Sequence, residues 1–322
     1  MGITSTHQQS LSDYQRTNRD IMTSILISLQ TTLKKLGAKP RLYWPLIKSL
    51  QTGLLLSTGL AGYSSARCPY LTWRTLLAMA GSLFLAISGS TIFNMIYDRD
   101  IDAKMERTCR RPLPSGKVSV LEASILGLVF SVLGVGWALT LSPLYGIVVF
   151  AGLFFDVVVY TIWLKRRTAW SIVWGGIAGG MPVLAGRVLG SGQIDWTGIA
   201  LSLGVLFWIP THILTFNMRH FEDYKRAALP TVPSIYGFRA TRVIIALSSV
   251  ATALALAIAA YGVGMSWGYL RVLVWLTVGL FVMAIGSIAR PSERMNFGLF
   301  KYASLYLLSS MFIILLGARG TC

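Results

Sequence analysis

The stretch TLLAMAGSLFLAISGSTIFNMIYDRDIDAKMERT, residues 75–108, runs from an uncharged apolar segment straight into a cluster of acids and bases. No Asp, Glu, Lys or Arg lies between Thr75 and Tyr97, and about 20 such residues are enough for a helix to cross the hydrocarbon core of a bilayer. The chain as a whole is 54% hydrophobic and only 13% charged, which is far too apolar for a soluble domain of this length. The sequence therefore predicts a membrane protein.

Nine apolar segments of this kind predict nine membrane-spanning helices. Only helices and closed barrels satisfy their backbone polar groups in hydrocarbon, so we expect an all-α, polytopic membrane helical bundle of about nine helices. The predicted spans are residues 46–66, 74–97, 119–141, 144–164, 169–189, 197–217, 240–262, 267–289 and 297–318.

Lys and Arg are distributed asymmetrically between the connecting segments. Placing the N-terminus in the cytoplasm puts 24 of the 29 Lys and Arg on the cytoplasmic side, as the positive-inside rule requires. The net charge of +17 is then explained by topology and by attraction to anionic membrane lipid, so we expect no nucleic-acid partner. Residues 1–41 are predicted to be a polar and basic cytoplasmic segment, and residues 42–322 the membrane domain. With no transit-peptide pattern in residues 1–40, a multi-pass plasma membrane protein is preferred to one of the mitochondrial inner membrane.

Three segments on the predicted cytoplasmic side carry most of the remaining polar side chains: residues 98–117, 165–168 and 218–239. Six of the twelve acids in the chain lie in the first and third of them. These two segments follow equivalent ends of the second and sixth spans, so they can face each other across a cavity.

Asn94, Asp98 and Asp102 are spaced four residues apart. If the helix continues beyond the second span, they form one stripe and Asp100 points nearly the other way. Carboxylates stacked near a helix C-terminus repel one another and the negative end of the helix dipole, so a cation is expected among them.

Magnesium is the cation that suits such a stripe, because it takes one or two carboxylates and completes its shell with substrate phosphate. Arg107, Arg110 and Arg111 follow at once, and guanidinium groups bind phosphate with two parallel hydrogen bonds. This pattern predicts a site for a lipid diphosphate. The alternative is a charged interfacial loop whose acids and bases merely pair with each other.

The spacing of Asn94, Asp98 and Asp102, with RTCRRPLPSG downstream at residues 107–116, resembles the first signature of the UbiA superfamily of membrane prenyltransferases. The likeness extends over residues 42–318, and three stretches look most like the protoheme IX farnesyltransferases, or haem O synthases, within that superfamily. They are NMIYDRDIDAKMERT (94–108), YTIWLKRRTAWSIVWGGIAGGMPVLAGR (160–187) and FWIPTHILTFNMRHFEDYKRAALPTVPSIYG (207–237). One departure is Ala228, where the family tends to have glycine.

The resemblance implies a bundle around a central cavity and Mg²⁺-dependent transfer of a farnesyl group from farnesyl diphosphate to a vinyl group of haem b. The catalytic residues it implies are Asn94, Asp98, Asp102, Arg107, Arg111 and Asp223. The implied metal ligands are Asn94, Asp98, Asp102 and a third-loop acid, Asp223 or Glu222, with Asp223 preferred. The implied substrate-binding residues are Lys165 and Lys225 on the diphosphate, Tyr97, Tyr160 and Tyr224 beside the cation, and His212 at the haem.

Two other functions compete with this interpretation. A prenyltransferase with an aromatic or quinone-precursor acceptor would share the diphosphate half of the site. A membrane transporter is the alternative from a different class, because intramembrane acids also suit one. His212 can equally be hydrogen-bonded within the bundle, and Asp156, in the fourth span, has no assigned role. A haem A synthase or a terminal-oxidase assembly is a candidate protein partner.

Overall fold

The computed structural model describes residues 40–66 and 72–317, together with residues 22–23, 27–28 and 30–31. These residues form helices and connecting turns, and none of them lies in a β-strand. The all-α prediction is therefore confirmed for this part of the chain. The predicted N-terminal segment, residues 1–41, falls almost entirely outside the described residues.

Nine long helices account for most of the described residues, and eight of them are long and apolar enough to cross a membrane. The polytopic helical prediction is thus confirmed, with most boundaries within a few residues of those expected. The helices are α1 Ser49–Ser64, α2 Trp73–Tyr97, α3 Val120–Leu141, α4 Pro143–Leu164, α5 Ser171–Ser191, α6 Trp196–Arg219, α7 Val232–Val263, α8 Trp267–Ala289 and α9 Glu293–Gly317.

The first predicted span, residues 46–66, was too long. Helix α1 has 16 residues and so measures about 24 Å, less than the ~30 Å of a typical hydrocarbon core. A tighter 3-10 helix, Trp44–Ile47, precedes it, and Lys48 separates the two with a left-handed backbone, φ 45°. The chain therefore turns at Lys48, and the α-helix begins only at Ser49.

Helix α7 begins at Val232, before the predicted start of the seventh span at residue 240. Gly237 explains the difference, because its φ of 76° and ψ of 168° place a kink inside α7. Only glycine adopts this conformation without steric cost, so the turn before the kink and the apolar helix after it differ in direction. Thr231 caps the first part by accepting a hydrogen bond from the Ser234 backbone N–H.

Glycines allow α5 to pack closely against both α1 and α6. A Cβ atom at Gly62 would lie 2.0 Å from the Val183 carbonyl oxygen, and one at Gly180 would lie 2.7 Å from the Ser202 carbonyl oxygen. Small residues at such contacts let helix backbones approach each other, which is a common basis of packing in membranes. The glycine-rich stretch of α5 therefore serves helix packing.

The two largest apolar clusters among the described residues both contribute to the lining of a central cavity. One cluster contains residues of α1 to α5, and the other is built mainly from α5, α6, α7 and α9. The cavity has a volume of about 640 Å³ and is lined by residues of α1, α2, α4, α5, α6 and α9. A volume of this size suits a small organic ligand.

An ion pair fastens the end of the bundle where α5 meets α6. Arg187 is buried, and its guanidinium group donates to the Asp195 carboxylate over 2.6 and 3.1 Å and to the Ser65 carbonyl oxygen. Asp195 also accepts a hydrogen bond from the Gly198 N–H at 2.8 Å and so caps α6. Arg187 thereby joins the ends of α1, α5 and α6.

We expect Gly62→Ala to destabilise the bundle by about 1–3 kcal/mol, because the added methyl group must push α1 away from the α5 backbone. Gly53→Ala on the same helix is the matched control, since nothing lies within 4 Å of a Cβ atom there. Thermal unfolding of the detergent-purified variants measures the difference. Equal melting temperatures for the two variants would contradict the close α1–α5 contact.

Candidate functional site

Asn94, Asp98 and Asp102 form a buried stripe where α2 ends. The helical hydrogen bonds continue past Tyr97, because the Asp98 N–H donates to Asn94 O at 3.0 Å and the Asp102 N–H donates to Asp98 O at 2.8 Å. The three residues are only 5%, 6% and 6% exposed. The predicted stripe is therefore present, and it faces the protein interior.

Asp100 points away from this stripe, as its position in the helix predicts. Its side chain is 58% exposed, and both carboxylate oxygens accept hydrogen bonds from Arg166, at 2.7 and 2.9 Å. These hydrogen bonds lower the pKa of the Asp100 carboxyl group. Asp100 thus belongs to the surface of the loop.

Basic side chains neutralise two members of the stripe. Lys165, just after α4, donates to one carboxylate oxygen of Asp98, and Arg111 donates to Asp102 over 2.8 Å. Burial lowers the pKa of Lys165, but the neighbouring Tyr160 and Asp98 outweigh burial and raise it above its usual value. Lys165 is therefore a cation in the free protein.

The third loop is tied to the first through Asp223, which lies in the short helix Phe221–Arg226. The Asp223 carboxylate is buried, and its Oδ1 accepts hydrogen bonds from the Glu106 backbone N–H at 3.2 Å and from Arg226 at 3.1 Å. Arg226 also donates to the Glu106 carboxylate at 2.8 Å. Glu222 is exposed and forms no ion pair within the described part of the chain. Of the two acids, Asp223 is the one that is buried and contacts the first loop.

The first and third loops thus contact each other, but their carboxylates are not gathered around one common point. Among the described residues, no group of three or more His, Cys, Asp or Glu side chains is arranged to hold a metal ion. One observation does fit a cation: Asp98 Oδ1 is buried and accepts no hydrogen bond from any of the described residues. Carboxylate and amide oxygens are the ligand types that Mg²⁺ prefers, so the residues of the stripe suit this metal.

The three tyrosines predicted to lie beside the substrate differ in their positions relative to the cavity. Tyr160 lines the cavity, and its ring lies 5.6 Å from Lys165 Nζ. Tyr224 lies close enough to Lys165 to interact with it electrostatically, and burial raises the pKa of the Tyr224 hydroxyl. The Tyr97 hydroxyl instead donates to the Ile162 carbonyl oxygen at 3.1 Å, while Arg166 covers its ring at 4.4 Å. Tyr97 is not among the residues lining the cavity.

Two predicted phosphate-binding residues lie at the surface of the loops. Arg107 is exposed and stacks on the Phe216 ring, 4.9 Å from its centre. Lys225 is exposed and forms no ion pair that the described residues show. Neither side chain joins the buried stripe in this conformation.

Lys48 is a cation of the site that the sequence did not single out. It lies close enough to Lys165, Arg111, Asp98 and Asp156 to interact with them electrostatically. Burial, followed by the positive charges of Lys165 and Arg111, lowers the pKa of Lys48 to about 8. Its left-handed backbone is uncommon for a residue with a side chain, and such conformations concentrate at functional sites.

His212 lies on the cavity wall, on the side formed by α6 and α9. Its ring is stacked between Trp208 and Phe300, with ring centres 4.8 and 4.5 Å away. Its Nδ1 atom lies 3.1 Å from Ser304 Oγ, and the described residues provide no hydrogen-bond partner for Nε2. His212 therefore lines the cavity, and its contact with haem stays a prediction.

The last ten residues of α4, Phe155–Leu164, form a π-helix. Here Asp156 and Thr161, five residues apart, both contact the Asn94 side chain. Asp156 Oδ2 accepts a hydrogen bond from Asn94 Nδ2 at 2.9 Å, and Thr161 Oγ1 lies 2.5 Å from Asn94 Oδ1. Ser90 also donates to Asp156 Oδ2. Asp156 therefore has partners on α2.

Comparison with known proteins agrees with this geometry. A model of the UbiA prenyltransferase family matches residues 55–308, which is most of the chain. The chain belongs to this family. It is also 34% identical over 279 residues to the Protoheme IX farnesyltransferase of Pyrobaculum islandicum, covering 85% of this chain and 97% of that protein.

Solved structures of UbiA proteins share the fold. A structure from work on digeranylgeranylglyceryl phosphate synthase has a TM-score of 0.72 at 18% identity and covers 87% of this chain and 98% of its own. A UbiA homologue from Archaeoglobus fulgidus, bound to DMAPP and Mg²⁺, has a TM-score of 0.66 at 16% identity, with coverages of 84% and 98%. These likenesses establish the architecture.

Within this UbiA chain, we expect Asp98→Asn to weaken Mg²⁺-dependent binding of farnesyl diphosphate by about 100-fold, because it removes a buried carboxylate from the stripe. Asp100→Asn is the matched control two residues away and should bind like the wild type, since Asp100 is exposed and paired with Arg166. Calorimetric titration with and without Mg²⁺ measures both variants. Equal losses in the two would show that the stripe has no special role.

Proposed function

We propose that this protein transfers a farnesyl group from farnesyl diphosphate to a vinyl group of haem b, giving haem O. The observation that carries the proposal is a buried stripe of paired acids and bases next to an apolar cavity whose lining includes His212. The first feature suits a diphosphate with its metal, and the second suits apolar groups of the substrates. The name of the Pyrobaculum relative supports haem b as that acceptor.

Asn94, Asp98, Asp102 and Asp223 would hold Mg²⁺, which neutralises the diphosphate and makes it a better leaving group. In the free protein Lys165 and Arg111 pair with the acids of the stripe. When substrate binds, these two bases exchange the carboxylates for phosphate oxygens, with Arg107 and Lys225 moving in from the surface. Lys48 joins them, so positive groups surround the phosphate oxygens before negative charge develops on them.

The farnesyl chain occupies the apolar cavity, where bulk water is excluded. The bond between its first carbon and the diphosphate oxygen breaks, leaving an allylic cation and free diphosphate. The vinyl carbon of haem attacks the cation, and the resulting porphyrin-conjugated cation takes up water and releases a proton. Tyr160 lines the cavity and Tyr224 lies close enough to interact with it electrostatically, so their rings are candidates to stabilise the first cation.

His212 is suited to hold the acceptor. Ser304 Oγ lies 3.1 Å from the Phe300 carbonyl oxygen as well as from His212 Nδ1. If the serine proton is donated to that carbonyl, His212 Nδ1 donates to Ser304 and the Nε2 lone pair is free to bind haem iron. The flanking rings of Trp208 and Phe300 prevent the imidazole from turning.

Membership of the UbiA family weighs against the transporter alternative. An aromatic or quinone-precursor acceptor remains the second candidate, because it would use the same diphosphate site. We also propose that the acid stripe faces the cytoplasm of a plasma membrane, as the distribution of Lys and Arg indicates. A haem A synthase or a terminal-oxidase assembly would then receive the product in that membrane.

Incubating the purified protein with Mg²⁺, farnesyl diphosphate and haem b should yield farnesylated haem, detected by mass spectrometry. Asp98→Ala should yield none, because the stripe loses a buried carboxylate oxygen that accepts no hydrogen bond within the described part of the chain. A protein that binds farnesyl diphosphate in an Mg²⁺-dependent way but leaves haem b unchanged would remove haem as the acceptor. The same assay with a hydroxybenzoate then tests the second candidate.

Affinity for farnesyl diphosphate should fall as the pH rises above about 8. The pKa of Lys48 is lowered to about 8, so above this pH the amine is neutral and binding an anion requires it to regain a proton. The affinity then decreases by up to about tenfold per pH unit. Lys48→Arg should keep its affinity from pH 7 to 9.5, because arginine stays charged. The same pH profile in both proteins would contradict a contact between Lys48 and the diphosphate.

A further inference from the structure

Asp156 is an acid within a membrane span, and the proposed chemistry gives it no direct role. An unpaired carboxylate at such a position is costly, so its partners indicate what it does. Its Oδ2 atom accepts hydrogen bonds from Ser90 and from Asn94, both on α2. Of these two, Asn94 is the proposed metal ligand.

The chemistry of the two groups fixes the orientation of the Asn94 amide. Asp156 Oδ2 accepts hydrogen bonds from Ser90 Oγ and from Asn94 Nδ2, so the NH₂ group of the amide faces Asp156. The amide oxygen then lies on the other side, where the Thr161 hydroxyl is 2.5 Å away. A flipped amide would place its oxygen against the Asp156 carboxylate, which is repulsive.

The π-helix brings both contacts to the same place. In an α-helix, residues five apart are rotated by about 140° from each other, so Asp156 and Thr161 would point in different directions. A π-helix bonds residue i to residue i+5, and these residues then share a face. Thr161 Oγ1 accordingly lies 2.8 Å from the Asp156 carbonyl oxygen, and the Lys165 N–H donates to Tyr160 O at 2.8 Å.

We propose that Asp156 and Thr161 are positioning residues that hold the Asn94 amide with its oxygen available to Mg²⁺. The inference rests on the proposed function, because it takes Asn94 as a metal ligand. The Asn94 oxygen has a second lone pair beyond the one directed at Thr161, and this lone pair can bind the metal. Groups that orient a metal ligand typically change metal affinity by about 10–100-fold when they are removed.

The test measures metal binding rather than turnover. Full-length protein in detergent is titrated with Mn²⁺, followed by electron paramagnetic resonance, in the presence of a thio analogue of farnesyl diphosphate that does not ionise. We expect Asp156→Leu to weaken Mn²⁺ binding by about tenfold or more, and Thr161→Val to weaken it less. Asp156→Asn should bind nearly like the wild type, because its amide oxygen can still accept from Asn94.

A double-mutant cycle separates positioning from a general structural effect. In an Asn94→Ala background, Asp156→Leu should cause no further loss of Mn²⁺ affinity, since the group it orients is absent. Tyr145→Phe is the matched control, because the Tyr145 hydroxyl bonds Ser82 at 2.9 Å and so joins the same two helices away from the site. Its Mn²⁺ affinity should be unchanged.

The inference would be overturned if the losses of Mn²⁺ affinity caused by Asp156→Leu and Asn94→Ala were additive in the double variant. It would also be overturned if Tyr145→Phe lost as much Mn²⁺ affinity as Asp156→Leu. If Asp156→Leu does not fold, the cycle of Thr161→Val with Asn94→Ala makes the same test. Absence of diphosphate-dependent Mn²⁺ binding by the wild type would overturn both the inference and the metal half of the proposed function. If Mn²⁺ binding shows the expected non-additivity but the protein leaves haem b unmodified, the inference about Asp156 and Thr161 stands. Only haem b as the acceptor is then excluded.

Discussion

Buried carboxylates at the C-terminal end of a helix need positive partners, and this need organises the whole loop end of the bundle. Asp98 and Asp102 lie where the negative end of the α2 dipole adds to their mutual repulsion. Lys165 and Arg111 provide the compensating charge from two other segments. The loops after α2 and α4 are therefore folded by electrostatics, while the helices beneath them are packed by apolar and small residues.

The same pairs make the free site ready for an anion. Two acids and two bases neutralise each other in a partly dehydrated space, so neither sign is left in excess before substrate arrives. A metal–diphosphate unit has the complementary arrangement, with a cation for the carboxylates and oxygens for the bases. When the metal and the diphosphate bind, the acids and bases can therefore exchange partners without leaving a buried charge uncompensated. The prenyl chain is uncharged and needs only the apolar lining of the cavity.

Hydropathy was enough to predict most of the spans, because a helix needs a run of about 20 apolar residues to cross the bilayer, and the regular 3.6-residue period of a helix was enough to predict the stripe. The irregular features escaped prediction. A left-handed Lys48, the kink at Gly237 and the π-helix of α4 break that period, and nothing in a single sequence marks where the break occurs. Ala228 is an informative exception, because the resemblance led us to expect glycine at this position and its φ of 53° is one that glycine adopts without strain.

The irregular features lie where they matter for the site. The turn at Lys48 brings a cation of the segment before α1 to the acids of α2, and the π-helix turns Asp156 and Thr161 toward Asn94. Regular α-helices would place these side chains on faces that do not meet. The fold can therefore be inferred from composition and period, whereas the details of the site depend on local departures from the helix that the surrounding packing must sustain.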